Sequence, residues 1–190
     1  MSSSVRAFLS VDVVDAALRE RVKHIQERID TRAARIKFVE IENIHFTLRF
    51  LGETPVQRID EIQNVLRELS HTPFTIRIEG IGAFPSIRRP NVIWVGVTEG
   101  RELLQSLKSE IDGYLSQLGY PSEPRFKGHL TIARVRSVLD RSRLITSLQS
   151  LKNEAVGTMS VTSVRMKKST LTPRGPIYET LWEIPLDSKK

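Results

Sequence analysis

Two short elements of one pattern, His45-Phe46-Thr47-Leu48 and His129-Leu130-Thr131-Ile132, recur 84 positions apart in a chain of 190 residues. Each reads as a strand, in which successive side chains point to opposite faces. His and Thr then share one surface, while Phe46 and Leu48, or Leu130 and Ile132, enter a core. The chain holds four histidines (His24, His45, His71 and His129) and 13 threonines. A matched pair with apolar residues at all four interleaved positions arises by chance roughly once in a thousand such chains. A separation close to half the chain is that of an internal pseudo-repeat, with its copies facing each other across a cleft.

Periodicity fills in the rest. Arg6–Asp12, Ile36–Val39, His45–Phe50, Phe74–Ile81, Val92–Val97, His129–Val135, Gly157–Met166 and Tyr178–Ile184 read as strands. Leu18, Val22, Ile25 and Ile29 mark one helix face, and Val56, Ile59, Ile62, Leu66 and Leu69 a second, starting just after Pro55. A third helix runs from Arg101 to Leu118 and a short one covers Leu144–Leu151, while GAFPSIRRPN (Gly82–Asn91) reads as a loop. With no Pro/Gly/Ser-rich linker, the expectation is one compact α+β domain.

Composition excludes several functions. There is no cysteine, which removes disulfides, thiolate zinc sites and cysteine nucleophiles. No apolar stretch has the length of a membrane span and no signal peptide is recognisable, so a cytoplasmic protein without membrane partners is expected. The formal charge of +7 favours a polyanion such as nucleic acid.

Two imidazoles flanking one site can act as general base and general acid in one turnover, because histidine titrates near pH 6.5. Attack of water on a strained cyclic phosphate needs that division of labour: one histidine removes the water proton and the other protonates the departing ribose oxygen. Two threonine hydroxyls are neutral donors for the charge gathering on the phosphorane oxygens. No metal or other cofactor is required. The two elements are so alike that the residues alone leave open which histidine is acid and which is base.

With its flanks, this pattern resembles the two-histidine phosphoesterases, and within them the RNA 2′,3′-cyclic phosphodiesterases, or 2′-5′ RNA ligase-like proteins. The resemblance runs through RAFLSVD, FVEIENIHFTLRFLGE, GIGAFPSIRRPNVIWVGV, RFKGHLTIARV and KSTLTPRGPIYETL. It implies a bilobal, pseudo-symmetric α+β fold with two mostly antiparallel sheets facing a central cleft and helices packed outside. The whole chain, 1–190, would be one domain of two intertwined lobes, each with one His-x-Thr element. It implies His45 as proton donor, His129 as proton acceptor, and Thr47 and Thr131 as phosphate ligands. The implied reaction opens 2′,3′-cyclic phosphates on RNA ends to 2′-phosphates, and family members can reverse it in vitro as 2′-5′ ligation. The implied partner is RNA bearing either end group, tRNA-derived ends among the candidates, bound by a monomer. Gly128 departs from the pattern, since proline often precedes the second histidine; it leaves the neighbouring loop freer.

Other residues divide between site and scaffold. Arg49 shares strand parity with His45 and Thr47 and so is a candidate phosphate or RNA contact, with a solvated edge charge as the equal alternative. Arg134 has the opposite parity to His129 and is expected to be structural, as in an ion pair. Arg88 and Arg89, between Phe84 and Trp94, are candidate RNA contacts, with Trp94 itself expected in the core. Arg165, Lys167, Lys168 and Arg174 form a second basic group, more simply a solvated face. His24, between Val22 and Ile25 in the first helix, is expected at the edge of the core, His71 as a helix-terminus cation, and Pro173 and Gly175 in a turn. The competing function is an RNA-end-binding protein without turnover, for which an acid–base pair would be superfluous; a small cyclic nucleotide or an ADP-ribose cyclic phosphate is a competing substrate.

Overall fold

The computed structural model describes residues 3–123, 125–173 and 175–187. Its strands are β1 (Ser4–Asp12), β2 (Ala34–Phe38), β3 (His45–Pro55), β4 (Phe74–Ser86), β5 (Arg89–Glu99), β6 (His129–Val138), β7 (Ala155–Val161), β8 (Ser163–Thr172) and β9 (Gly175–Pro185). The helices are α1 (Ala16–Glu27), α2 (Val56–Leu66), α3 (Arg101–Ser116) and α4 (Arg141–Ser150), with a 3-10 turn at Ile41–Asn43. Two helices start where an aspartate can cap them: Asp15 accepts from the Leu18 amide and Asp140 from the Arg143 amide, satisfying amides that have no partner inside the helix. No described helix is long and apolar enough to cross a membrane.

The strands lie in the order β7-β4-β5-β6-β3-β1-β8-β9, with β2 also paired to β6. Every pairing is antiparallel. Continuity across the middle rests on one pair, Phe46 with Leu130. Past it β3 and β6 part, and β2 takes the edge of β6 from Ala133 to Val138. The expected α+β architecture with two mostly antiparallel sheets is therefore present, the sheets joined where the two His-x-Thr elements meet. Phe46, Leu48, Leu130 and Ile132 are buried, as strand alternation requires.

Two expectations about the elements are corrected. Gly157–Met166 is two strands, not one: β7 pairs with β4 and β8 with β1. The alternation of buried residues changes phase at the exposed Thr162, from Met159 and Val161 to Val164 and Met166. The expected loop Gly82–Asn91 is mostly hairpin, with β4 and β5 paired out to Ser86 and Arg89. Pro85 and Pro90 face each other there, at a hairpin end where a missing amide donor costs little.

Candidate active site

Both imidazoles are held in the same way. His45 Nδ1 lies 2.6 Å from the carbonyl oxygen of Asn43, and His129 Nδ1 lies 2.6 Å from that of Lys127. A carbonyl only accepts, so each Nδ1 donates and the proton exchanged with a substrate resides on Nε2. His45 Nε2 lies 3.0 Å from Thr47 Oγ1. Phe46, between His45 and Thr47, pairs with Leu130, between His129 and Thr131. The Phe46–Leu130 pair thus sets the two His-x-Thr elements side by side.

Each element is followed by a bulge. On β3, Ser10 pairs with Thr47 but Leu9 pairs with Arg49, so Leu48 is the extra residue. On β6, Trp94 pairs with Thr131 but Ile93 with Ala133, so Ile132 is extra. An extra residue reverses the face of everything beyond it. Arg49 accordingly turns inward and is only 4% exposed. It pairs with Asp112 at 3.3 Å and Glu123 at 3.4 Å and donates to the Pro121 carbonyl. It reaches neither phosphate nor solvent, correcting both readings of its parity. Phe50 takes the outer face instead, 65% exposed and packed near Phe8. Arg134 is corrected in the opposite direction. It is exposed on the cleft face, close enough for its charge to act on both His129 and Tyr178, and among the described residues no carboxylate pairs with it.

Aromatic rings wall both histidines. His45 packs on Phe8 and Tyr178, with ring centroids 5.0 and 5.4 Å away; His129 packs on Phe84 and Trp94, at 4.9 and 6.2 Å. Trp94 is a half-buried cleft wall rather than core, capped by Lys127 Nζ 4.1 Å above its ring. Gly82 makes room for it: a Cβ there would come within 2.2 Å of the indole. Gly128 also marks a close approach rather than a loose loop, because its Cβ would meet the buried Leu104 side chain at 2.6 Å.

Burial disfavours the imidazolium and lowers both histidine pKa values below the ordinary range. The accepting carbonyls of Asn43 and Lys127 oppose that shift. Asp12, the cross-strand partner of His45, favours its protonated form against the opposing charges of Lys167 and His129, and the charges of Lys127 and Arg134 further disfavour protonation of His129.

The remaining candidates sit farther off. Arg88 and Arg89 are exposed at the tip of the β4–β5 hairpin, beyond Phe84. Arg165 and Lys167 pair with Asp12, and Lys168 with Glu179, so that basic group is offset by carboxylates; Arg174 lies outside the described residues. His24 is exposed on α1, and His71 is half-buried in the segment after α2 rather than at its end. Pro173 occupies a turn in which the Thr172 hydroxyl donates to the Gly175 carbonyl. Among the described residues no group of three or more His, Asp or Glu is placed to hold a metal ion.

Comparison with known proteins places this geometry. The model of the LigT-like phosphoesterases matches twice, over residues 11–94 and 95–178, one match for each His-x-Thr element. An RNA 2′,3′-cyclic phosphodiesterase of Methanothermobacter thermautotrophicus is 41% identical over 92% of this chain and 95% of its own. One of Archaeoglobus fulgidus is 39% identical over 93% and 98%. Among solved structures, a Thermus thermophilus protein superposes with a TM-score of 0.80 at 23% identity, covering 97% of this chain and all of that one. E. coli LigT in its apo form superposes with a TM-score of 0.77 at 21% identity, covering 98% and 99%. With both halves of the sequence matched, the chain belongs to the LigT-like phosphoesterase family.

Proposed function

We propose that the chain hydrolyses 2′,3′-cyclic phosphate ends of RNA to 2′-phosphates, with His129 as base and His45 as acid. The observation that carries this reading is the pair of Nδ1-anchored imidazoles, on two His-x-Thr elements joined through the Phe46–Leu130 pair. Relatives named RNA 2′,3′-cyclic phosphodiesterase over nearly the whole chain support it. Water attacks phosphorus in line with O3′, His129 Nε2 takes the water proton, and the P–O3′ bond breaks. His45 Nε2 protonates O3′, leaving phosphate on O2′. The carboxylate of Asp12 near His45, offset in part by Lys167, and the two cations near His129 suit this assignment. Thr47 and Thr131 hydroxyls donate to the equatorial oxygens. Ligation uses the same groups with a 5′-hydroxyl in place of water: His129 takes its proton, the P–O3′ bond breaks, His45 protonates O3′, and a 2′-5′ diester forms.

Incubation with a short oligonucleotide ending in a 2′,3′-cyclic phosphate, in EDTA, tests the proposal. A 2′-phosphate product is expected; no turnover, or turnover that requires added divalent metal, overturns it.

The titration of the pair gives a further prediction. kcat/KM should trace a bell in pH, falling on the acid side as the base is protonated and on the alkaline side as the acid loses its proton. Burial lowers both pKa values, so both limbs belong on the acid side of the ordinary value near 6.5. A bound phosphate favours the imidazolium, so the bell of kcat at saturation should lie at higher pH than that of kcat/KM. A rate rising monotonically with pH would remove His45 as the acid.

Thr47→Val or Thr131→Val removes a donor without removing a titrating group. Each should slow the reaction by up to about 10²-fold, towards the cost of one oxyanion donor, and preserve the shape of the bell. A changed limb would mean that the hydroxyl governs its histidine partner instead.

A further inference from the structure

Strands β2 and β6 carry four cations, Arg35, Lys37, Arg134 and Arg136, and no acidic residue. Lys37 is the cross-strand partner of Arg134, and directly opposed residues in an antiparallel pair project to the same face. That face is the cleft, three residues beyond Thr131. Arg35 follows two residues away on β2, exposed and with no carboxylate partner among the described residues. The ledge is roofed at its far side: a Cβ on Gly175, at the start of β9, would lie 3.1 Å from Lys37 Nζ. The β8–β9 hairpin therefore runs from Tyr178, which packs on His45, to Lys37. A chain leaving the histidines past Arg134 has cations beneath it and the hairpin at its edge.

We infer that this ledge, Arg35 and Lys37 continuing from Arg134, binds the phosphodiester backbone of the nucleotides upstream of the reacting end. The preferred substrate is then a single-stranded oligonucleotide rather than a cyclic mononucleotide, an inference that rests on the cyclic phosphodiesterase reading above. The end group occupies the His-x-Thr pocket, and the next phosphates towards the 5′ end, absent from a mononucleotide lacking a 5′-phosphate, lie along β2. Backbone contacts of this kind act through charge and are screened by salt. Arg88 and Arg89 lie on the opposite edge of β6, across β5 and β4, and offer a different exit route.

The test measures kcat/KM for a 2′,3′-cyclic mononucleotide and for a pentanucleotide ending in a 2′,3′-cyclic phosphate. The proteins are the wild type, the double variant Arg35→Gln/Lys37→Gln and the double variant Arg88→Gln/Arg89→Gln. The wild type should favour the pentanucleotide, and that preference should fall about tenfold or more in the β2 variant. Its salt slope should become shallower by about one unit, roughly one to two lost phosphate contacts. A preference kept in the β2 variant, or lost only in the hairpin variant, overturns the ledge. If neither substrate turns over in any protein, the catalytic reading fails by itself. Anisotropy titration of a labelled 2′-phosphorylated pentanucleotide then still decides the ledge, which predicts weaker binding and a shallower salt slope in the β2 variant alone.

Discussion

His45→Ala and His129→Ala should each lower kcat on a cyclic-phosphate oligonucleotide by about 10²–10⁴-fold, the range for loss of a positioned acid or base. Two features of the site put the expectation at the upper end. Each ring is fixed by a donated Nδ1 hydrogen bond and by two aromatic neighbours, so no other side chain slides into its place. The site is also walled by rings rather than open water, and bulk solvent is a poor substitute for the missing group. Binding should survive, because the threonines and Arg134 remain; anisotropy with a 2′-phosphorylated oligonucleotide measures it. The double variant should be little slower than the worse single one, since acid and base serve one transition state and their effects do not add. Loss of binding in both variants, with no turnover by the wild type, would instead favour an RNA-end-binding protein.

The twin elements were legible because a strand needs only local alternation. Alternation alone puts His45 and Thr47 on one face of their strand and His129 and Thr131 on one face of theirs, whatever the strands pair with. Strand parity misplaces Arg49 and Arg134 for one shared reason. The bulges at Leu48 and Ile132 are properties of pairing with β1 and β5, and pairing is not encoded in the spacing of one segment. A signal lies in the segments LRF, from Leu48, and IAR, from Ile132, which stand at matching positions in the two copies. Both arginines stand beyond the extra residue, Arg49 by one position and Arg134 by two, so they take opposite faces, and alternation counted from the histidine assigns each the wrong one. Trp94 was hidden differently. Its run VIWVGV reads as core, and only the approach of Gly82 reveals that an indole lies across the sheet towards His129. The split of Gly157–Met166 was invisible because β7 and β8 are both good strands and differ only in where their partners lie.

The buried face of β3 carries the second large effect. Asp112 on α3 is 5% exposed and receives Lys108 Nζ at 2.5 Å, Arg49 Nη1 at 3.3 Å and the Glu123 amide at 3.1 Å. Lys108 and Arg49 are themselves buried, at 1% and 4% exposure. Glu123 also lies near both cations, but it is half exposed. Asp112→Ala would leave two desolvated cations facing each other without their central carboxylate. Breaking a buried pair in this way costs about 3–5 kcal/mol, which a urea titration would read as a lower midpoint with little change in slope. The consequence extends to the site. Arg49 follows Thr47 by two residues and holds the Pro121 carbonyl, at the start of the segment that leads to His129, so the cluster ties one His-x-Thr element to the approach to the other. Under conditions where Asp112→Ala remains folded, kcat should fall by more than KM changes, because the spacing between the histidines is loosened while the phosphate donors stay. A variant that loses stability but keeps full kcat would show that the two elements are held together by the Phe46–Leu130 pair alone.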